Sequence, residues 1–505
     1  MYCRSVIHLC MPESSDWIQR CWLLPVAINS IASESGAQER LRGGIGALGY
    51  FTLSVGATVG SGWVIVLGEW LGTAGPGGTA LGFLLGGAAM VLIGLCYGEL
   101  AARSPTLGGE FVYVLRSLGP LPAFLVGWFL ILYAVSICAF EAVAIASLLA
   151  ILIPATSGPV LYNVGTSSVH AGALAIGVGG VVSIGALHFA GVLSAIRFQN
   201  LATLAFLLVL VVLIAAGLTL GSTDNWRPLL YAADNRSPWL GVLWIFSTCA
   251  LFLTGWQTSL HAIEERRAGL SVRAAIFSMV CGILVGALAY CGAVLAASAA
   301  VPWKSVLTKD LPAVAAFSAL RPGGMLGTVV LVVAFVSALK TWNALAWWAT
   351  RSVVALAREG FLPKALTRVH STSGAPRTAV VLVTILSVVG PLLGRAAILP
   401  IVNMGSICLA LSMVLCLLVL LHRRRLNLES PSFTVPGGTV TIVVALLASC
   451  LMIGVAIIEP LLRSHIEIPL EWKLIGLWAS LGMIVWMTIG RRSLARSRMG
   501  AAEMS

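Results

Sequence analysis

Two ionisable side chains stand inside long apolar runs, where a charge is hard to keep. Lys340 lies in Ser337-Ala338-Leu339-Lys340-Thr341-Trp342-Asn343, and Glu141 in Cys138-Ala139-Phe140-Glu141-Ala142. A charge at the centre of a bilayer costs about 3 kcal/mol or more, so an ionisable residue kept there marks a functional position by default. A third feature belongs to the main chain. Gly56, Gly60 and Gly62 fall within seven residues, around Ser61. Glycine gains the most freedom on leaving a helix, so this run is a weak point in any helix that contains it.

The elements that must hold these residues follow from composition. The chain has 505 residues, 59% hydrophobic and 10% charged, against roughly a quarter charged in soluble domains. So little polar surface cannot cover a globule of this size, and lipid must be the solvent for most of it. Backbone groups in lipid are satisfied within a helix, and about 20 apolar residues span the hydrocarbon. Hydropathy predicts twelve spans: 44–71, 77–101, 119–152, 169–188, 199–220, 239–263, 271–299, 323–350, 378–395, 398–421, 437–458 and 473–490. With both ends in the cytoplasm, 22 of the 31 Lys and Arg fall inside and eight outside, with Lys340 in a span. That asymmetry is the positive-inside pattern. It accounts for the net charge of +12 without nucleic acid, which would need basic residues gathered on one folded surface. The eleven cysteines contain no CxxC pair, so neither a metal site nor a disulfide framework is expected. Residues 1–43 lack the basic-apolar-small order of a cleavable signal and read as a poorly ordered arm.

A second span is punctuated like the first. In Leu251-Phe252-Leu253-Thr254-Gly255-Trp256-Gln257 a polar, glycine-bearing stretch interrupts the sixth span. The first and sixth spans run in opposite directions, so matching breaks suggest two inverted repeats, spans 1–5 and 6–10, with spans 11 and 12 appended. Discontinuous helices at a repeat interface are the best pointer to a transporter's binding site. Small residues that only permit tight helix packing are the alternative. A half-helix beginning after Gly62 aims free N–H groups and the positive end of its dipole at the gap. Half-helices ending near Thr58 and Phe252 leave carbonyls unsatisfied. An α-amino acid, with its carboxylate close to its ammonium, completes both sets.

The ordered motifs resemble the amino acid–polyamine–organocation (APC) permeases. Gly60-Ser61-Gly62-Trp63 is similar to their first-span break. Tyr97-Gly98-Glu99-Leu100-Ala101-Ala102-Arg103, Gly108-Gly109-Glu110-Phe111-Val112-Tyr113 and Phe124-Leu125-Val126-Gly127-Trp128 resemble the segment from second to third span. Gly255-Trp256-Gln257 with Glu264-Glu265 resembles the sixth span and its acidic end. Asn343, Thr350-Arg351, Ala355-Leu356-Ala357-Arg358-Glu359-Gly360-Phe361-Leu362-Pro363 and Gly374-Ala375-Pro376 resemble the eighth span and its loop. The resemblance implies an all-α membrane protein of LeuT-type five-plus-five fold that moves amino acids or related amines by alternating access. It implies that main-chain N–H groups of Ser61, Gly62 and Trp63 take the substrate carboxylate. Carbonyls of Thr58, Leu251 and Thr254 would take the ammonium, and Phe252 or Trp256 would form an aromatic lid. Glu141, with Cys138, would lie on the third-span face that lines the side-chain pocket.

Two readings of each buried charge stay open. Sodium-coupled relatives of this fold enclose a sodium ion between the first and eighth spans, and some proton-coupled APC permeases place a fifth-span lysine there. The fifth span here is uncharged from Asn200 to Gly217. Lys340, three residues before Asn343, could supply that ammonium from the eighth span and titrate, or be a permanently charged lysine on the carbonyls of Gly56 and Ala57. Glu141 could receive a cationic side chain, carry a proton or pair with Lys340. Glu264-Glu265 with Arg266-Arg267 read as a salt-bridge cluster, Glu99 and Glu110 as a loop network, and His188 and His261 as packing residues. Many such permeases carry an acid where Gln257 stands. No nucleophile triad, phosphate-binding loop or metal cluster is evident, and neither enzyme activity nor a cofactor is expected.

The expected organisation is an arm (1–43), a first repeat (44–220), a second repeat (239–421), two further helices (437–490) and a tail (491–505). The expected function is secondary transport of amino acids, sodium-independent, by proton symport or exchange. A cationic amino acid or polyamine exchanger and a transporter-like amino-acid sensor are the alternatives. The expected setting is a bacterial-type plasma membrane, with both termini cytoplasmic and the chain monomeric or homodimeric.

Overall fold

The computed structural model describes residues 44–164, 167–232, 237–321, 323–394, 398–426, 431–463 and 470–490. The expected arm and tail, 1–43 and 491–505, lie outside the described residues. Ten helices among the described residues are long and apolar enough to cross a membrane, and Pro238–Phe252 and Arg377–Leu393 are shorter apolar helices. The molecule is a multi-pass helical membrane protein.

The first expected span is two helices, α1 (Ala47–Thr58) and α2 (Gly62–Ile65). A long helix, α3 (Leu67–Arg103), follows and turns at Gly75, whose φ is 70°. That left-handed angle suits glycine. Pro76 then starts the second leg, where a missing N–H costs least. Next come α4 (Glu110–Leu118) and α5 (Pro120–Leu152). A two-stranded antiparallel hairpin, β1 (Val160–Val164) and β2 (Ser167–His170), interrupts the otherwise helical chain. It adds a small sheet to a fold expected to be all-α. The chain continues through α6 (Ala171–Ala190), α7 (Val192–Leu220), α8 (Pro238–Phe252), α9 (Thr258–His261), α10 (Val272–Ala300), α11 (Pro312–Ser318) and α12 (Met325–Arg358). After these come α13 (Arg377–Ser387), α14 (Val389–Leu393), α15 (Ile398–Leu426), α16 (Gly438–Arg463) and α17 (Leu470–Val485). The eighth span runs on to Arg358, past its expected end at 350, because Arg351 is buried and paired instead of meeting solvent.

Helix α10 packs on α3, α1 and α7; α12 packs on α5, α7 and α1. Close approach of α3 to α8 and α10 depends on small residues. A Cβ at Gly86 would lie 2.2 Å from the Cys249 sulfur, and one at Gly94 would lie 2.5 Å from Ile283. Such contacts replace the hydrophobic drive that helices lack in lipid. At the periphery, Trp128 of α5 and Trp478 of α17 clasp each other. Each indole N–H donates to the other's carbonyl, at 2.9 and 3.0 Å, with the rings stacked 4.6 Å apart. Both donors are thereby satisfied without water.

Candidate solute site between two broken helices

The break after α1 begins at Val59, whose extended φ/ψ (−96°, 90°) ends the helix. The helical path resumes at Gly62. The second break follows α8. Leu253 leaves helical geometry, Gly255 takes φ 98°, and α9 starts at Thr258. The two breaks touch: a Cβ on Gly255 would come within 2.7 Å of the Ala57 carbonyl oxygen. Glycine is required there twice over, by the angle and by the neighbour.

Between the breaks lies a cavity of about 70 Å³, room for several waters or a small polar head group. The first break contributes Ala57, Thr58, Gly60, Ser61 and Gly62, and the second Leu251, Phe252 and Thr254. Glu141 completes the polar wall; its carboxylate accepts from the Ser61 hydroxyl at 3.4 Å. The Phe252 ring lies on Gly62, where a Cβ would stand 2.7 Å from it, and meets Trp70 edge-on at 4.9 Å.

Other expected site residues sit elsewhere. Cys138 and Trp63 are buried but do not line the cavity. Trp256 packs edge-on against Tyr97 at 5.2 Å, so of the two aromatics at the sixth-span break only Phe252 faces the cavity. Sequence reasoning missed Tyr133, Ile137 and Phe140 of α5, Tyr290 of α10, and Thr341 and Leu345 of α12, all in the wall. Glu141 itself was the available signal for α5: Ile137 and Phe140 precede it by four residues and one.

Lys340 lies behind the first break. Its ammonium donates to the carbonyls of Gly56, at 3.1 Å, and Val59, and stands 4.3 Å from the centre of the Phe206 ring. Val59 replaces the expected Ala57, whose carbonyl is turned to Gly255. Ser337 and Thr341 donate to the same two carbonyls, at 3.0 and 2.9 Å. These three positions are i, i+3 and i+4, one face of α12, and together they cap the end of α1. Asn343 is one turn on and outside the cavity. It donates to Gln199 Oε1 at 2.7 Å, and Gln199 donates to the Thr52 carbonyl at 3.1 Å. Gly56 makes room for that amide, since a Cβ there would lie 1.9 Å from Gln199 Nε2.

At the end of the bundle where α1 begins, charged residues close the structure. Glu265 is held by Arg351 through two bonds of 2.8 and 3.0 Å, and Glu264 by Arg358 at 2.8 Å. The expected partners, Arg266 and Arg267, are not the ones used. Arg266 donates to the Ile263 and Leu270 carbonyls, because the acids face α12. Glu110 accepts from or donates to His261 Nε2 at 2.7 Å. Glu99 gathers Arg103, Arg424 and the Val435 amide. His188 Nε2 meets the Asn343 carbonyl at 3.1 Å.

Two broken helices facing each other across a cavity, in a chain of apolar spans, form the arrangement expected of a membrane solute carrier. The sequence matches the amino acid permease family across residues 45–487, and the chain belongs to that family. It is 24% identical over 427 residues to a branched-chain amino acid permease of Bacillus subtilis, covering 81% of this chain and 87% of that protein. It is 26% identical over 401 residues to a methylthioribose transporter of the same organism, covering 76% and 82%. A chloroplastic cationic amino acid transporter of Arabidopsis thaliana is 27% identical over 359 residues, 69% of this chain and 61% of that protein.

Proposed function

We propose that this protein is a secondary active transporter of amino acids that works by alternating access, with twelve spans and a LeuT-type five-plus-five repeat. The observation that carries the reading is the cavity itself, bounded by two interrupted helices that touch at Gly255 and Ala57. The short helix from Gly62 offers the N–H groups of Ser61 and Gly62 to a carboxylate. The ends of α1 and α8 offer carbonyls to an ammonium. Spans α1 to α7 and α8 to α15 form the two repeats, α16 and α17 are appended, and both termini lie in the cytoplasm of a bacterial-type plasma membrane. The distribution of Lys and Arg supports that orientation.

The reading is sodium-independent, because the Lys340 ammonium stands where α1 and α12 could otherwise hold a cation. It couples transport to protons or to exchange. A cationic amino acid or polyamine as substrate is favoured by one observation, the Glu141 carboxylate in the cavity wall. The relative named as a branched-chain permease favours a neutral substrate. Counterflow and pH-gradient uptake in proteoliposomes, with labelled leucine, arginine and aspartate, tests the reading. Accumulation driven by an inward proton gradient, unchanged when sodium is replaced by choline, is expected. Tight binding of these amino acids with no flux in either mode would replace the transporter with a sensor.

A further inference from the structure

Each broken helix ends on a carbonyl that a cavity hydroxyl already occupies. The Tyr290 hydroxyl, from α10, donates to the Thr58 carbonyl at 3.3 Å. At the other break, Thr254 Oγ1 donates to the Leu251 carbonyl at 2.7 Å. Thr254 has thereby spent its only proton, so the 3.2 Å contact with Tyr133 has the tyrosine as donor. Thr254 caps its own helix from three residues away and stays wherever that helix goes. Tyr290 reaches across from another element. Its ring is fixed by stacking on Phe83 at 4.9 Å, with 3° between the planes, and by the edge of Trp70 at 5.8 Å. It is buried, and it lines the cavity.

We propose that the Tyr290 hydroxyl stands in for the substrate ammonium at Thr58 when the site is empty, and so lets the carrier reorient without cargo. The proposal rests on the transport reading and adds a role for a residue outside both broken helices. A carrier that returns empty must close around an unfilled site. A carbonyl buried there without a donor is costly, whereas one that exchanges its donor is nearly neutral. Tyr290 supplies the donor in the empty state and yields it to the ammonium on loading. Exchange never visits the closed empty state, so only net movement needs this hydroxyl. Tyr290 is a positioning residue for the empty cycle.

The test uses the full-length protein in proteoliposomes with labelled leucine and arginine, each measured in two modes. Net uptake starts with no internal amino acid; exchange starts with the unlabelled amino acid inside. In Tyr290→Phe, net uptake is expected to fall by roughly tenfold, the scale of one buried hydrogen bond, and exchange by clearly less, so that the net-to-exchange ratio drops. Tyr290→His keeps a ring-borne N–H donor and is expected to recover part of the net rate. As a second readout, Tyr290→Phe lowers the melting temperature of the empty purified protein, and saturating substrate restores it to the wild-type bound value. Equal loss of both modes, no change in either, or a melting deficit that substrate leaves intact would overturn the proposal. So would equal net rates in the Phe and His variants, including a shared failure to fold. If the wild-type protein moves neither amino acid in either mode, the transport reading fails and takes the proposal with it. Wild-type transport with an unaltered net-to-exchange ratio in the variant sinks the Tyr290 role alone.

Discussion

The α-carbon of Gly255 faces the carbonyl oxygen of Ala57 so closely that an added methyl would stand 2.7 Å from it. Two helix interruptions almost 200 residues apart in the chain are therefore one structure. Gly255→Ala must strain both the φ of 98° and this contact. The angle alone costs about 1–2 kcal/mol. We expect a lower melting temperature in detergent and loss of leucine and arginine counterflow. A variant with wild-type counterflow would show that the two breaks need not touch.

Lys340 joins α12 to the end of α1 through the Gly56 and Val59 carbonyls. Lys340→Met removes the ammonium and keeps most of the side-chain volume, so the Ser337 and Thr341 caps persist. The expected outcome is loss of proton-driven uptake with exchange retained, read by comparing pH-gradient uptake with counterflow. Unchanged proton dependence would leave Lys340 a structural cap.

Glu141 meets the Ser61 hydroxyl at the rim of the first break. Glu141→Gln retains a hydrogen-bonding side chain of the same size and deletes the charge. Arginine affinity is expected to weaken by about tenfold or more, the range for a hydrogen bond to a charged group, with leucine affinity far less affected. Isothermal titration of the purified variant with both amino acids reads the difference. Equal affinities in variant and wild type would remove Glu141 from the pocket's selectivity.

The Arg351–Glu265 pair is buried on both sides. Removing one member leaves the other charge uncompensated, at about 3–5 kcal/mol. Arg351→Ala is expected to reduce the folded yield and melting temperature more than Arg266→Ala, since the Arg266 guanidinium bonds to the main-chain carbonyls of Ile263 and Leu270. Fluorescence size-exclusion profiles of the two variants compare them directly.

Some of this was legible from the chain alone. The breaks show because glycines and threonines punctuate apolar runs, and Glu141 and Lys340 show because charge is so costly around them. Partners across the bundle do not. Glu264 and Glu265 adjoin Arg266 and Arg267 in sequence, yet pair with residues of α12 that lie 94 and 86 positions away. The aromatic wall was also hidden. Helices such as α10 are apolar on nearly every side, one side for lipid and another for the core, so no polar stripe tells which face looks inward. Tyr133 and Tyr290 then read like any other bulky residue in a span. The hairpin of Val160–His170 was missed because it is short and lies between two strong helical signals.

The reciprocal indole clasp between Trp128 and Trp478 has a mechanical meaning. It fastens the last helix to the same helix that carries Glu141. If α5 tilts in the alternating-access cycle proposed above, α17 must be towed along at the protein's lipid-facing rim. An outrigger of this kind makes the motion visible from outside: a spin label or fluorophore on α17 would record the rocking of the pocket wall without entering the pocket.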